Sequence, residues 1–156
     1  MLRALWSAEA ITYKGRWHTI DNAGINPLPV QRPIPIWIGG GSEQAIARVG
    51  RIGDGWFPLL APGDAARAAL ARLRGYARDA ERDPGAIGVA PQLVLGQVGH
   101  AAAADHAAGW RDLGATHLAI NTQGVGYDSA REQIAALRAI KDLLRPVVPL
   151  AAPAPR

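Results

Sequence analysis

The stretch Ile36-Trp37-Ile38-Gly39-Gly40-Gly41-Ser42-Glu43 decides the fold. A short apolar run that stops at turn residues is typical of a buried parallel strand, so we predict a strand over residues 36–38. Glycine lets the backbone adopt a positive φ and approach a ligand closely, because it has no β-carbon. Ser42 begins a helical pattern that ends at Gly50 or Gly53. The first N–H groups of such a helix suit an anion, and a plain tight turn with Ser42 as the helix cap is the alternative.

Three further strand–helix pairs are predicted after this stretch. Their strands cover residues 55–57, 88–98 and 116–120, and their helices cover residues 64–80, 101–113 and 129–144. Strands that alternate with helices imply a parallel sheet with right-handed crossovers. Four such units fit either a small doubly wound sheet or half of an eight-stranded barrel, since a whole barrel needs about 250 residues.

Two of these helices have a predicted core face. Asp64 is expected to cap the helix over residues 64–80, which buries Leu70, Leu73 and Ala77. The last helix begins at Ser129. Its predicted core stripe consists of Ile134, Leu137, Ile140 and Leu144.

The two ends of the chain are predicted to differ from this core. Leu2, Leu5 and Trp6 have the spacing of one apolar helix face, and the pattern begins as if the helix were the remnant of a longer one. Residues 11–35 are predicted to be irregular, because four prolines oppose a long helix or a central strand. We assign residues 1–145 to one α/β domain, with a helix remnant and loop over residues 1–35, and residues 146–156 to a flexible tail rich in proline and alanine.

Composition excludes several classes of protein. Of the 156 residues, 49% are apolar and 19% are charged, which opposes a largely disordered chain. There is no cysteine, so disulfides, thiolate nucleophiles and cysteine-ligated metals are excluded. The formal net charge is +4, but arginines alternate with acids, as in residues 78–83, so we expect no nucleic-acid binding. The chain has neither a recognisable secretory signal nor an apolar run of about 20 residues, so we expect a cytoplasmic protein that does not enter a membrane.

A second motif is Gly53-Asp54-Gly55-Trp56-Phe57-Pro58. Asp54 suits a turn, and Trp56 and Phe57 are predicted to point to opposite faces of a strand. A tryptophan in such a strand is more often a core residue than a ligand contact. The four histidines, His18, His100, His106 and His117, are not at metal-ligand spacing, so we predict no metal site, and no pattern identifies a catalytic residue.

The segment from Pro27 to Ser42, followed by the residues from Arg51 to Trp56, resembles the C-terminal part of the luciferase-like monooxygenase family. The resemblance is strongest to members that are described as oxidoreductases dependent on the deazaflavin coenzyme F420. Residues 2–6 resemble the end of the helix after the fourth strand, and residues 13–17 resemble an insertion before the fifth. The resemblance implies a TIM barrel, of which this chain is the C-terminal half, with strands five to eight and their helices.

In this family the cofactor lies at the C-terminal ends of the strands, with its phosphate near the fifth and sixth strand-to-helix loops. The resemblance therefore implies that the phosphate is bound by Gly39, Gly40, Gly41 and Ser42. It also implies that Gly55 and Trp56 lie beside the cofactor. The implied cofactor is coenzyme F420, with FMN as the alternative.

The resulting hypothesis is a fragment of an F420-dependent oxidoreductase that takes part in hydride transfer on an unknown small-molecule substrate. One alternative is a fragment of an FMN-dependent monooxygenase, and another is a non-catalytic half-barrel that self-associates. Hydride transfer requires a complete pocket around the reacting atoms. We therefore expect either a homodimer through exposed strand edges or the missing N-terminal half as the partner.

Overall fold

A computed structural model describes residues 1–148. The chain divides into two compact units, Met1–Ile36 and Trp37–Arg156. Val147 and Val148, at the start of the predicted flexible tail, pack against a hydrophobic cluster of the second unit. The rest of that predicted tail, residues 149–156, lies outside the described residues.

The first unit contains a short helix, α1 (Leu2–Leu5), and two strands, β1 (Ile11–Lys14) and β2 (Thr19–Ala23). The strands form an antiparallel hairpin, so the prediction of an irregular chain from residue 11 was wrong for this part. The residues of β1 are β-branched or aromatic at Ile11, Thr12 and Tyr13, which favours a strand. The prolines that motivated the prediction begin only after the hairpin has ended.

The second unit alternates strands and helices. Its strands are β3 (Trp37–Gly39), β4 (Gly55–Phe57), β5 (Gly88–Val89), β6 (Gln92–Val94) and β7 (Ala119–Asn121). Its helices are α2 (Glu43–Ile52), α3 (Asp64–Asp79), α4 (Leu95–Val98), α5 (Ala103–Asp112) and α6 (Ala130–Leu144). The predicted strand–helix alternation is confirmed, and the predicted strand over residues 55–57 coincides with β4.

All strand pairs in the described part of this unit are parallel. β3 pairs with β4, β4 pairs with β5, and β6 pairs with β7. Between these ladders, the N–H groups of Thr116 and His117 donate to the carbonyl of Val89 at 2.9 and 3.1 Å, and Ala119 donates to Pro91 at 2.9 Å. Neighbouring strands are therefore also consecutive in the chain, an order typical of barrels rather than of doubly wound sheets.

The predicted strand over residues 88–98 was wrong in its length. It is divided into β5 and β6 at Ala90 and Pro91, and the chain after Val94 forms the helical turn α4. Proline has no N–H group to donate to a neighbouring strand, which explains the interruption.

Two hydrophobic clusters form the core. The first lies among β4, α2 and α3, where the predicted Leu70, Leu73 and Ala77 are buried. The second includes Leu93, Ile140 and Leu144. Two predicted core residues of α6 are instead exposed, Ile134 by 51% and Leu137 by 41%. The helix buries a stripe with a spacing of four, Ala136, Ile140 and Leu144, whereas the prediction followed a spacing of three through the same Ile140.

Unpaired backbone N–H and carbonyl groups at several helix ends are hydrogen-bonded by different side chains. Ser42 accepts a hydrogen bond from the first turn of α2, so it is the helix cap that the sequence analysis gave as one possibility. Ser129, which was predicted only as the start of the last helix, caps α6 in the same way. Asp64 does not cap α3, because the cap position is Gly63 and Asp64 is the first helical residue. At the other end of α2, the guanidinium of Arg82 donates to the carbonyls of Val49, Gly50 and Gly53 at 3.2, 2.6 and 2.6 Å. This charged group holds the end of the helix that begins at the glycine turn.

Candidate active site

The glycine turn joins β3 to α2 at the carboxyl end of the parallel strands. Gly40 has φ of +113°, a backbone conformation that favours glycine. Its N–H donates to the carbonyl of Phe57 at 3.2 Å, which attaches the turn to the end of β4. In parallel α/β folds this end of the sheet is where ligands bind.

Four consecutive backbone N–H groups follow Gly40 without an acceptor within the described residues 1–148. They belong to Gly41, Ser42, Glu43 and Gln44, and all four residues are exposed. A β-carbon at Gly41 would meet no atom within 4 Å, so the space in front of the turn is open. The oxygen of Ser42 accepts from the N–H of Ala45 at 3.3 Å, which leaves its hydroxyl hydrogen to donate elsewhere. This arrangement suits a phosphate group.

Glu43 is an acidic side chain beside this positive helix end. Its carboxylate is engaged by Arg72 at 3.0 Å and accepts a hydrogen bond from the Tyr76 hydroxyl at 2.6 Å. The hydrogen bond to Glu43 raises the pKa of Tyr76, so the phenol stays protonated and continues to donate. The Glu43 charge is thereby balanced by groups on α3, which reduces its competition with an anion at the turn.

The structure places Trp56 and Gly55 behind the glycine turn. Trp56 is fully buried, and its indole Nε1 donates to the carbonyl of Gly40 at 2.8 Å. Gly55 is also buried, and a β-carbon there would overlap the ring of Trp37. Trp56 therefore supports the turn from the core, whereas the β-carbon position of Gly55 faces the Trp37 ring on the opposite side of β4.

Trp37 was not singled out by the sequence, although it belongs to the decisive stretch. Its ring lies over Gly55 and Gly88 and contacts Phe57 and His117, with 5.2 Å between ring centroids in both pairs. The position of the Trp37 ring could have been predicted from Gly55 and Gly88, which leave room for it on the next two strands. Recognising these glycines as its neighbours requires the strand register, which the sequence alone does not give. Trp37 and Phe57 face away from the helices, and Trp56 faces the core, so the predicted opposition of Trp56 and Phe57 is confirmed.

The face of the sheet that carries Trp37 has a depression of about 400 Å³. It is lined by Trp37, Phe57, Ala90, His117, Leu118 and Ala119. Phe57 is 42% exposed, so a large apolar side chain meets solvent at this surface. Within residues 1–148, no three histidine, aspartate or glutamate side chains come together as a metal site. No helix in that same part of the chain has the length and hydropathy to span a membrane.

Among the histidines of residues 1–148, His106 on α5 has a pKa that is shifted from its ordinary value. Its Nε2 atom is buried and has no hydrogen-bond partner among the described residues. Burial lowers the pKa of His106, because desolvation disfavours the imidazolium.

This shift makes folding stability dependent on pH. Below the ordinary histidine pKa of about 6.5, the unfolded chain binds a proton that the folded chain resists. We therefore expect the free energy of unfolding to fall as the pH drops from 6.5 toward the lowered pKa. Urea unfolding of the wild type and of His106→Gln at a series of pH values measures this. A pH dependence that is equally steep in both proteins would contradict the prediction.

A family model described as luciferase-like monooxygenase matches residues 1–145. The chain belongs to the luciferase-like monooxygenase family. Relatives within this family differ in cofactor. The chain is 33% identical over 111 residues to the F420-dependent hydroxymycolic acid dehydrogenase of Mycobacterium tuberculosis, a match that covers 71% of this chain and 30% of the relative. It is 36% identical over 56 residues to the FMNH2-dependent dimethylsulfone monooxygenase of Pseudomonas fluorescens, covering 36% of this chain and 15% of the relative.

A solved structure shares the fold of this luciferase-like chain. The coenzyme F420 dependent tetrahydromethanopterin reductase from Methanopyrus kandleri superposes with a TM-score of 0.55 and 18% identity, over 66% of this chain and 31% of the reductase. The matches to these three proteins each span less than a third of the other protein's length.

Proposed function

We propose that this chain is the C-terminal half, strands five to eight, of a luciferase-like oxidoreductase barrel, and that its glycine turn binds the phosphate of coenzyme F420. The observation that carries the proposal is the run of four unengaged N–H groups from Gly41 to Gln44, which faces open space. A relative that matches 71% of this chain is named for F420, which favours the deazaflavin. When bound, the deazaflavin supplies hydride transfer.

The residues of this chain fit the phosphate of such a cofactor. The N-terminal end of α2 carries a partial positive charge, and among residues 1–148 no protein acceptor competes for the four N–H groups and the Ser42 hydroxyl. The Trp56 indole and the Phe57 carbonyl hold Gly40 in place before any ligand arrives. The site is therefore preorganised, which reduces the entropy lost when an anion binds.

A glycine-to-leucine exchange tests this site. Gly41→Leu is expected to fill the open space in front of the turn with little effect on folding, because its β-carbon would meet no protein atom within 4 Å. We expect it to weaken F420 binding about tenfold or more, a loss of about 1.4 kcal/mol or greater. Fluorescence titration of the full chain with F420, and separately with FMN, measures the affinities.

Gly75→Leu is the matched control, since a β-carbon at Gly75 also meets open space but lies on α3. It is expected to bind F420 like the wild type. Equal affinity of Gly41→Leu and the wild type, or no binding of either cofactor by the wild type, would refute the proposal. Tighter binding of FMN than of F420 would favour the second candidate, an FMN-dependent monooxygenase, which the relative named for FMNH2 supports.

The strand edges support a proposal about partners. Within the described residues, β3 and β7 each pair with a neighbouring strand on one side only. Unpaired edges beside an apolar sheet face promote association. We propose that a second copy, or an N-terminal half supplied as a partner, completes the sheet. Light scattering of the full chain tests the first arrangement, and a monomeric mass across micromolar concentrations would leave the N-terminal half as the partner.

A further inference from the structure

A cleft separates β4 from β6 at the carboxyl end of the sheet. β4 pairs with β5 only through Gly55 and Trp56, and beyond Pro91 the strand β6 pairs with β7 instead. The chain after β4, residues 58–61, forms one wall of the cleft, and β6 with α4 forms the other. The volume of the cleft is about 490 Å³, which lies in the range of about 300–1,000 Å³ that is usual for small-molecule sites.

The walls of the cleft are apolar, with a few uncharged polar groups. Leu59 and Leu60 lie on one side and Val94 on the other, and the side chains of Gln92 and Gln97 supply hydrogen-bond donors and acceptors. Among the described residues that line it there is no lysine, arginine, aspartate or glutamate. A phosphate or a carboxylate would therefore find no opposite charge on these walls, whereas an apolar group would be removed from water against them.

We infer that this cleft binds an uncharged small molecule with an apolar body and one hydroxyl or carbonyl group. The apolar body would pack against Leu59, Leu60 and Val94, and the polar group would hydrogen-bond with Gln92 or Gln97. The cleft and the glycine turn both follow the carboxyl ends of parallel strands. If the proposed function is correct, the ligand is the substrate, an uncharged alcohol or ketone rather than a sugar phosphate or a carboxylic acid.

His106 contributes to the neutral character of the cleft, which it also lines. Because burial lowers the pKa of His106, its ring stays uncharged at neutral pH. The cleft therefore offers no cation to a phosphate group, in contrast to sites that bind phosphate through lysine or arginine.

Three probes of similar size test the inference without any cofactor. They are 1-phenylethanol, benzoate and phenyl phosphate, each titrated into the full ¹⁵N-labelled chain. We expect 1-phenylethanol to shift the side-chain amide signals of Gln92 and Gln97 with saturation. Both anions, followed at these same two amides so that binding at the glycine turn is not counted, should bind at least tenfold more weakly. Anions that saturate these amides as tightly as the alcohol, or alcohol shifts that are no larger at these amides than elsewhere, would overturn the inference.

A charge at the rim of the cleft should reverse this preference. Leu59 is 72% exposed, so Leu59→Arg is expected to fold like the wild type. It should strengthen phenyl phosphate binding at least fivefold, whereas the control Ile134→Arg, at an exposed position on α6, should leave all three affinities unchanged. Equal responses of the two variants would also overturn the inference. Because F420 is absent, a failed cofactor titration with intact alcohol binding refutes the proposed function and leaves the ligand class of the cleft standing.

Discussion

The Gly50→Ala variant is expected to lose about 2 kcal/mol or more of folding stability, although alanine favours a helix more than glycine does. Gly50 lies inside α2 where that helix crosses α3. A β-carbon there would lie 2.6 Å from the Tyr76 β-carbon, 2.8 Å from the Leu73 oxygen and 3.0 Å from the Ala77 nitrogen. Two of these three are backbone atoms, so the helices must separate to admit the methyl group. The gain from helix propensity is only about 1 kcal/mol, so the overlap dominates.

Gly75→Ala provides the matched control for this prediction. Gly75 lies inside α3, and a β-carbon there would meet no atom within 4 Å. We expect this exchange to stabilise the chain by up to about 1 kcal/mol, because only helix propensity changes. Urea unfolding followed by circular dichroism measures both variants. A Gly50→Ala protein as stable as the wild type would show that α2 and α3 are not in close contact at this point.

The Gly55→Ala variant is expected to lose about 3 kcal/mol or more, because the new methyl group would overlap the buried side of the Trp37 ring. That ring also lies over Gly88, where a β-carbon would be 2.5 Å from its Cη2 atom, so it packs closely on the sheet. Either the ring must lift off the sheet and lose its contacts with Phe57 and His117, or the sheet must distort beside the glycine turn. The proposed binding of F420 should weaken together with stability, since Trp56, the next residue, donates a hydrogen bond to the carbonyl of Gly40.

A smaller residue at position 37 should relieve this overlap. Trp37→Leu alone removes ring contacts with Phe57 and His117 and is itself destabilising. The double variant with Gly55→Ala should nevertheless lose at least 1 kcal/mol less than the sum of the two single losses, which a double-mutant cycle by urea unfolding measures. Strictly additive losses would contradict the proposed contact between the ring and Gly55.

The decisive stretch was predictable because its signals are local. An apolar run, three glycines and a capping serine each act within a few residues, and β3, the turn and α2 follow in that order. The strand over residues 88–98 was overextended, because apolar residues on both sides of Pro91 outweighed the missing N–H group of the proline. Local patterns also could not choose between two overlapping stripes of α6, since that choice depends on which side the sheet lies.

The candidate site was predicted only in part for the same reason. The exposed amides after Gly40 follow from the order of residues along the chain. The burial of Trp56 beneath the turn depends on α2 and α3 covering one face of β4. The position of Trp37 over two glycines depends on strand register, and the cleft beside β6 depends on where the sheet divides. Contacts between distant segments decide all three, and periodicity in the sequence does not contain them.

The bond from the Trp56 indole to the Gly40 carbonyl has a further consequence for how this protein responds to a bound molecule. The indole proton can exchange with deuterium only when the interior and the turn separate from each other. A molecule that binds the glycine turn and stabilises its closed form must therefore slow this exchange, even though it does not contact Trp56. Ligand affinity and the free energy of opening the turn are therefore linked. The exchange rate of one proton, the indole N–H of Trp56, measured with and without the ligand, reports both quantities.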